Sequence, residues 1–399
     1  MKLNDEGRLL PRDALAVYVH SPFCPSKCGY CDFNSYAMTG EVIERTCRAT
    51  IRQILDSPSR GRPAKTVFFG GGTPTFVPVE LLVEMLEAVF EVHPPVEGAE
   101  ITSEANPGTV DAEKFAAMRK GGFNRISLGA QSFLDDDLVR LGRVHRHGEI
   151  ERAVAAARSA GFENVNLDLM FALPGQTMRG WRDNLDRALA MGTEHLSLYC
   201  LTLEPNTAFY KEHLRGTLIL PEDDVQAEMY DLAVERTGEA GMACYEISNF
   251  ARPGRECAHN LAYWRCEEYA AYGPGAVGCL ADEPGSPWHA PRTRFTHLKH
   301  PERFCAAIES GQTTVFESES LDAEALRLER VMLGLRLAEG LDPVGLALDP
   351  RAVAGLESLG WLSRGEGRLA LTPEGRHFCS EVALRLVSGV AASSVPASS

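Results

Sequence analysis

The stretch Tyr18-Val19-His20-Ser21-Pro22-Phe23-Cys24-Pro25-Ser26-Lys27-Cys28-Gly29-Tyr30-Cys31-Asp32-Phe33-Asn34 decides how this chain is read. Leu15–His20 is a short apolar run of strand character, and Cys24, Cys28 and Cys31 follow it in a C-x3-C-x2-C loop. Thiolates are the ligands of iron–sulfur clusters. A loop carrying three of them at these spacings can wrap one face of a [4Fe–4S] cubane. That leaves one iron for another chelator, such as an amino acid's amine and carboxylate. Zinc is the rival reading, but a structural zinc site asks for four ligands, usually from two paired C-x2-C units. His20 is a formal fourth donor, yet it lies within the strand, where a packed histidine is the ordinary finding.

Working outward, further strand-like runs are predicted at Thr66–Phe69, Glu100–Ser103, Arg125–Leu128, Val165–Phe171, Leu196–Leu201 and Ala243–Ile247. Between most of them the apolar residues recur at three-and-four spacing. This predicts helices at 79–92, 111–120, 149–160, 179–191 and 223–240. Strand–helix alternation repeated about six times implies a parallel sheet with right-handed crossovers. The pattern changes near residue 290. A proline-rich stretch reads as a connection (291–320). A long amphipathic helix (321–338), a shorter helix (350–359), a hairpin (361–372) and a last helix (373–387) follow, an order that resembles a winged helix. Residues 1–13 are expected as an N-terminal extension. The uncharged Ala/Ser/Val tail, 388–399, is expected to be disordered.

Composition narrows the function classes. The chain has 399 residues with 40 basic against 55 acidic side chains, a net charge of −15. That balance argues against a broad phosphate-binding surface. The winged segment carries 11 acidic residues against 8 arginines between Ser318 and Val387, so no nucleic-acid partner is expected. The 11 cysteines cannot all pair and are too sparse for a disulfide scaffold. Without an apolar leader or an ~18-residue apolar span, the expected compartment is the cytoplasm. Clustered thiols there bind metal more often than they form disulfides.

The cysteine loop after a first βα strand resembles the radical S-adenosylmethionine (SAM) superfamily. The resemblance continues through His20-Ser21-Pro22-Phe23-Cys24, Phe69-Gly70-Gly71-Gly72-Thr73-Pro74-Thr75, Glu104-Ala105-Asn106-Pro107, Gly129-Ala130-Gln131-Ser132-Phe133, Asn166-Leu167-Asp168 and Leu173-Pro174-Gly175-Gln176-Thr177. These motifs, over roughly residues 14 to 385, look like the HemN/HemW-like group, which holds oxygen-independent coproporphyrinogen III oxidases and haem chaperones. Oxidases of that group place a fourth cysteine two residues after the third, where this chain has Phe33. His259-Asn260-Leu261-Ala262-Tyr263-Trp264 matches the H-N-x-x-Y-W signature of the chaperone branch.

The resemblance implies an α/β fold: a partial (β/α)6 TIM-like barrel (14–290, including the H-N-x-x-Y-W extension), then a small helical, winged-helix-like domain (321–387). Barrels of this kind carry their ligands at the C-terminal ends of the strands. The resemblance assigns Cys24, Cys28 and Cys31 to a [4Fe–4S] cluster. It assigns Tyr18, Tyr30, Gly71, Gly72, Thr73, Glu104, Gln131, Arg143, Asp168 and Thr202 to SAM. Side-chain-free glycines let backbone approach a ligand, and polar residues at strand ends need a partner. His259 is the candidate haem ligand, with Tyr263 and Trp264 stacking on the porphyrin. The implied activity is haem transfer to an acceptor, such as a respiratory haem protein, with transient contact to membrane haem proteins. Coproporphyrinogen III oxidation is the alternative. Relatives commonly read Gly-Ala-His where this chain has Gly275-Ala276-Val277, which places that histidine's role in doubt. His289 is the nearby substitute. Cys47, Cys200, Cys244, Cys279, Cys305 and Cys379 read as buried small hydrophobes, and His145 and His147 as a solvated loop.

Overall fold

A computed structural model describes residues 2–3, 9–10, 14–284 and 290–391. Lys2–Leu3 and Leu9–Leu10 pair as a separate two-stranded ribbon. Six strands then alternate with helices: β1 (Leu15–Ser21), β2 (Ala64–Gly71), β3 (Pro95–Ala105), β4 (Arg125–Gln131), β5 (Val165–Phe171) and β6 (His195–Cys200). They pair in that order, all parallel. The crossovers are α1 (Glu41–Leu55), α2 (Val79–Val92), α3 (Ala112–Lys120), α4 (Asp135–Leu141) with α5 (His147–Ser159), and α6 (Met178–Ala190). Helix starts follow their caps: Asp111 accepts from Lys114 N, and Thr177 from Gly180 N. After β6 come α7 (Ala208–Leu214) and α8 (Asp223–Glu239), whose ends agree with the sequence expectation to within a residue.

The sheet continues on both sides of the parallel block. β7 (Ala243–Glu246) and β8 (Asn249–Ala251) form a hairpin antiparallel to β6. After α9 (Ala258–Trp264), β9 (Tyr269–Tyr272) adds a seventh parallel strand against β1. β10 (Val277–Ala281), β11 (Arg292–His297) and, after α10 (Pro301–Glu309), β12 (Val315–Leu321) extend that side antiparallel. The whole is a twelve-stranded sheet. Residues 291–320, expected as a connection, therefore supply two sheet strands and a helix. One strand is mostly half-buried and the other almost wholly exposed, so neither stands out in a search for apolar runs.

Side chains from β1 through β6 meet around one buried cavity, so the parallel block curls into a partial barrel without closing. Its outer layer packs Leu82, Met85, Leu86, Phe115, Met118, Ile150 and Trp181 into one continuous core with the strands.

The C-terminal unit has α11 (Ala323–Gly334), α12 (Pro350–Ser358), a hairpin β13 (Leu362–Gly365) and β14 (Arg368–Leu371), α13 (Pro373–His377) and α14 (Cys379–Ala391) around its own core of Val331, Leu346, Leu356 and Leu386. The expected last helix is thus broken at Phe378, and its second half runs past residue 388 to Ala391. Residues 392–399 lie outside the described residues, as does His289. Among the described residues no helix is long and apolar enough to cross a membrane.

Candidate functional site

The cysteine loop leaves β1 at Ser21 and is pinned at both ends. Tyr36 N donates to Pro22 O (2.7 Å), and Cys24 N to Tyr36 O (3.1 Å). In the middle, Gly29 N donates to Leu141 O at 3.2 Å, and Phe209 N to Gly29 O at 3.0 Å. A Cβ on Gly29 would sit 2.8 Å from the Phe209 ring, so this position needs glycine for close approach.

The glycine-rich turn after β2 is bound to the same loop. Gly72 N donates to Ser21 O and Thr73 N to Phe23 O, both at 2.7 Å. The Thr73 hydroxyl lies 3.5 Å from Cys24 Sγ. Gly71 has φ +108°, and a Cβ there would fall 2.3 Å from the His20 ring. His20 itself bridges Tyr18 OH (2.9 Å) and Asn34 O (2.9 Å), so it is the packed residue that the sequence favours over a metal ligand.

Cys24, Cys28 and Cys31 open into one cavity of about 380 Å³. Its walls also carry Tyr30, Gly71, Gly72, Thr73, Glu104, Gln131, Arg143, Asp168 and Thr202, nine of the ten positions expected for SAM. Tyr18, the tenth, lies one level deeper. Arg143 holds Gly129 O at 2.7 Å and approaches Cys28 Sγ at 3.7 Å, while its Nε is buried with no hydrogen-bond partner. Gln131 has φ +65°, a strained backbone that turns its amide to within 3.1 Å of where a Gly129 Cβ would stand.

Two carboxyls sit at the cavity's inner end. Burial, then the charge of Asp168, raises Glu104 to about 8, against the pull of the Gly71 N–H. Burial also raises Asp168, although Ser127 and Asn166 hydrogen-bond it. Burial likewise raises the Cys24 and Cys31 thiols.

The donor set fits a cluster better than a single ion. Among the described residues no three His, Cys, Asp or Glu side chains converge to hold one metal ion. A cubane asks each thiolate to reach a different iron, so three thiols spread around one cavity suit it.

A second cavity of about 140 Å³ lies beneath, sharing Glu104, Asp168 and Tyr199 with the first. The residues expected at the haem face lie in and beside it. His259 is buried, with Nδ1 2.8 Å from Thr66 Oγ1 and Nε2 3.0 Å from Tyr263 OH. Burial and the charges of Lys65 and Arg125 lower it to about 3, so it is a neutral imidazole with neither nitrogen free for iron. Tyr263 shares this cavity, which is smaller than the ~300 Å³ floor of ordinary ligand pockets. Trp264 faces elsewhere, with the Arg336 guanidinium 4.5 Å over its ring. His259 and Tyr263 thus pack against each other beside this cavity, with the Trp264 indole outside it.

Other expectations change too. His145 is buried, hydrogen-bonded to Asn106 Oδ1 (3.2 Å) and Ala130 O (3.1 Å), rather than solvated. Cys200 is exposed and lines the upper cavity. Val277 is exposed on β10 opposite Thr296.

Sequence reading missed Tyr199, Ser127, Asn166, Ser197 and the fully buried Arg125, which line the lower cavity. Their signal was available: Asn166 and Asp168, like Ser197 and Tyr199, alternate as polar residues within apolar strands.

Residues 18–188 match the Radical SAM superfamily. The chain is 34% identical over 379 residues to a protein of Bacillus subtilis (strain 168) named heme chaperone HemW, covering 92% of this chain and 97% of that one. A Mycobacterium tuberculosis (strain ATCC 25618 / H37Rv) protein of the same name is 37% identical over 385 residues (95% and 96%). The fold resembles the solved structure of coproporphyrinogen III oxidase (HemN) from Escherichia coli, with TM-score 0.78, 20% identity, and 94% and 90% of the two chains covered. That last likeness is one of fold.

Proposed function

The chain belongs to the HemW family of the radical SAM superfamily, and from this we propose that it carries haem to an acceptor protein while holding a [4Fe–4S] cluster and SAM in the mouth of its partial barrel. The observation that carries the cofactor reading is the convergence of three loop thiols and nine strand-end and loop positions on one cavity.

Cys24, Cys28 and Cys31 would each hold one iron as thiolates, releasing protons on binding. Glu104 and Asp168 offer acceptors for an ammonium at the inner end. Arg143, beside Cys28, offers a planar fork to a carboxylate. The close backbone of Gly71, Gly72 and Thr73 excludes side-chain bulk from the ligand's path. When bound, the cluster and SAM supply one-electron chemistry, and the protein supplies position and electrostatics.

The name of the relatives supports haem carriage, and the compartment that goes with this role is the cytoplasm. Haem would bind outside the lower cavity, which at about 140 Å³ is too small for a porphyrin and is walled by the hydrogen-bonded His259 and Tyr263. Phe33 in place of a fourth cysteine favours the chaperone over the oxidase.

The experiment is anaerobic reconstitution with iron and sulfide, followed by reduction and SAM addition under electron paramagnetic resonance. A cluster signal that changes on SAM addition supports the site. Replacing Cys24, Cys28 and Cys31 together by Ala should abolish the brown chromophore and the iron. Near-full iron in that variant would refute the assignment.

A further inference from the structure

We propose that His195 is a positioning residue for the SAM site: it fixes Asp168 through Asn166, by a buried chain of hydrogen bonds that starts at the H-N-x-x-Y-W helix, α9. The inference rests on the reading above, in which Asp168 serves SAM, and deepens it. His195 lines neither cavity. The parallel register sets Ser127, Asn166 and His195 side by side on β4, β5 and β6, with Asp168 and Ser197 paired two residues further on. Side chains two apart on a strand share a face, so the five groups meet on the inner face of the sheet.

The links are short. The N–H of Cys257, the N-cap of α9, donates to Tyr245 OH at 3.3 Å. Tyr245 OH lies 2.8 Å from His195 Nε2, and His195 Nδ1 lies 2.6 Å from Asn166 Oδ1. Asn166 Nδ2 then donates to Asp168 Oδ1 and to Ser127 Oγ, both at 2.7 Å. Ser127 Oγ in turn donates to Asp168 Oδ2 at 3.1 Å, so Asn166 grips both carboxylate oxygens, one of them through the serine. Ser197 Oγ adds a bond to Asn166 Oδ1 at 3.2 Å. Ser127, Asn166, His195 and Ser197 are all buried.

The far end sets the direction of every bond. An Asp168 that serves SAM as an acceptor is a carboxylate, and a carboxylate only accepts. Asn166 must therefore turn its NH2 toward Asp168 and its carbonyl toward His195. The ring then carries its proton on Nδ1 and leaves Nε2 to accept from Tyr245 OH. Burial, then the charge of Arg125, lowers His195 well below its usual value, so this imidazole is neutral. Every donor points from α9 toward Asp168, and bonds in such a chain polarise one another. A flipped Asn166 would set its carbonyl against the carboxylate and lose both arms. The Tyr245 hydroxyl opposes that flip, because it keeps the ring proton off Nε2 and so keeps a donor facing the Asn166 carbonyl.

The test uses the whole chain with its cluster reconstituted, and reads SAM affinity by anaerobic calorimetry. His195→Asn keeps a donor at the place of Nδ1–H, whereas His195→Gln moves it toward the place of Nε2. SAM should bind His195→Asn within about threefold of wild type and His195→Gln about tenfold or more weaker, at equal iron content. A purely structural histidine would instead give affinities that follow the melting temperatures of the two variants, and that result would overturn the proposal. The second readout is the nitrogen-15 spectrum of the histidine rings at pH 7, with His195 assigned by the signal that His195→Gln removes. A neutral ring protonated on Nδ1 is expected; a proton on Nε2 would overturn the chain's direction. Wild type that binds no SAM would sink the cofactor reading and this proposal together. Wild-type binding matched by both variants would sink this proposal alone.

Discussion

The backbone N–H of Gly71 donates to Glu104 Oε2 at 3.0 Å. This bond joins the turn after β2 to the carboxyl at the end of β3. It thereby ties the cysteine loop, through Gly72 N–Ser21 O and Thr73 N–Phe23 O, to the inner end of the cavity. The glycines, the carboxylate and the thiols form one mechanical unit, so a change at any of them should be felt at the others.

Gly71→Ala should therefore be costly. It needs φ +108° and would drive a Cβ to 2.3 Å from the His20 ring. A strained backbone alone costs on the order of 1–3 kcal/mol. Gly72→Ala would meet Phe23 O at 2.6 Å. Both variants should unfold at lower urea and lose SAM binding. Gly355→Ala, in α12 with open space around it, should be neutral or stabilising. Equal midpoints for all three would refute the packing argument.

Glu104 gives a pH signature. Its folded pKa, about 8, lies above the ordinary value of 4.5. The folded state therefore binds the extra proton between those two values, and the wild type should lose stability as pH rises from about 4.5 to about 8. Glu104→Gln removes that slope. Urea midpoints at pH 5, 6.5 and 8.5 check it; parallel profiles for the two proteins would contradict the shift.

Arg143 places one arm on Gly129 O and another near Cys28. Arg143→Met keeps the stem and removes the fork. Cluster assembly should persist, because the thiols remain, while SAM affinity falls about tenfold or more. Arg143→Lys should recover only part, since one ammonium cannot fork. Wild-type SAM affinity in Arg143→Met would exclude the carboxylate role.

His259→Ala should destabilise without touching haem. It would leave the Thr66 and Tyr263 hydroxyls without the ring they now bond. Unpaired buried polar groups cost roughly 1–3 kcal/mol each. The Soret band of bound haem should be unchanged. A lost or shifted Soret band at unchanged thermal stability would restore His259 as a ligand.

Much of this was legible in the sequence, and the exceptions have physical causes. The cysteine loop, the glycine turn, four of the crossover helices and α8 announce themselves by spacing and period. Helix α1 escaped because its buried stripe, Ile43, Thr46, Cys47, Ala49, Thr50 and Ile54, is interrupted by two threonines and holds only two large apolar residues. β9 escaped because Tyr-Ala-Ala-Tyr has no β-branched residue and two alanines, which are poor strand formers. The arrangement of the expected haem-face residues was already held in the sequence. On a helix, His259 and Tyr263 are four apart and share a face, while Trp264 is five apart and turns away. That spacing suits a paired imidazole and phenol with the indole outside, which is what α9 forms. Arg125 was invisible because a charge buried in a strand can be read only from its partners, Glu100 among them at 3.9 Å.

The central claim is that this fold carries haem rather than oxidising a porphyrinogen. The most direct measurement is anaerobic titration of haem into the reconstituted, SAM-loaded protein, followed at the Soret band. The account predicts saturable, stoichiometric uptake, with no protoporphyrinogen formed when the same preparation is given coproporphyrinogen III and reductant. Absence of saturable haem binding together with catalytic turnover of coproporphyrinogen III would contradict it.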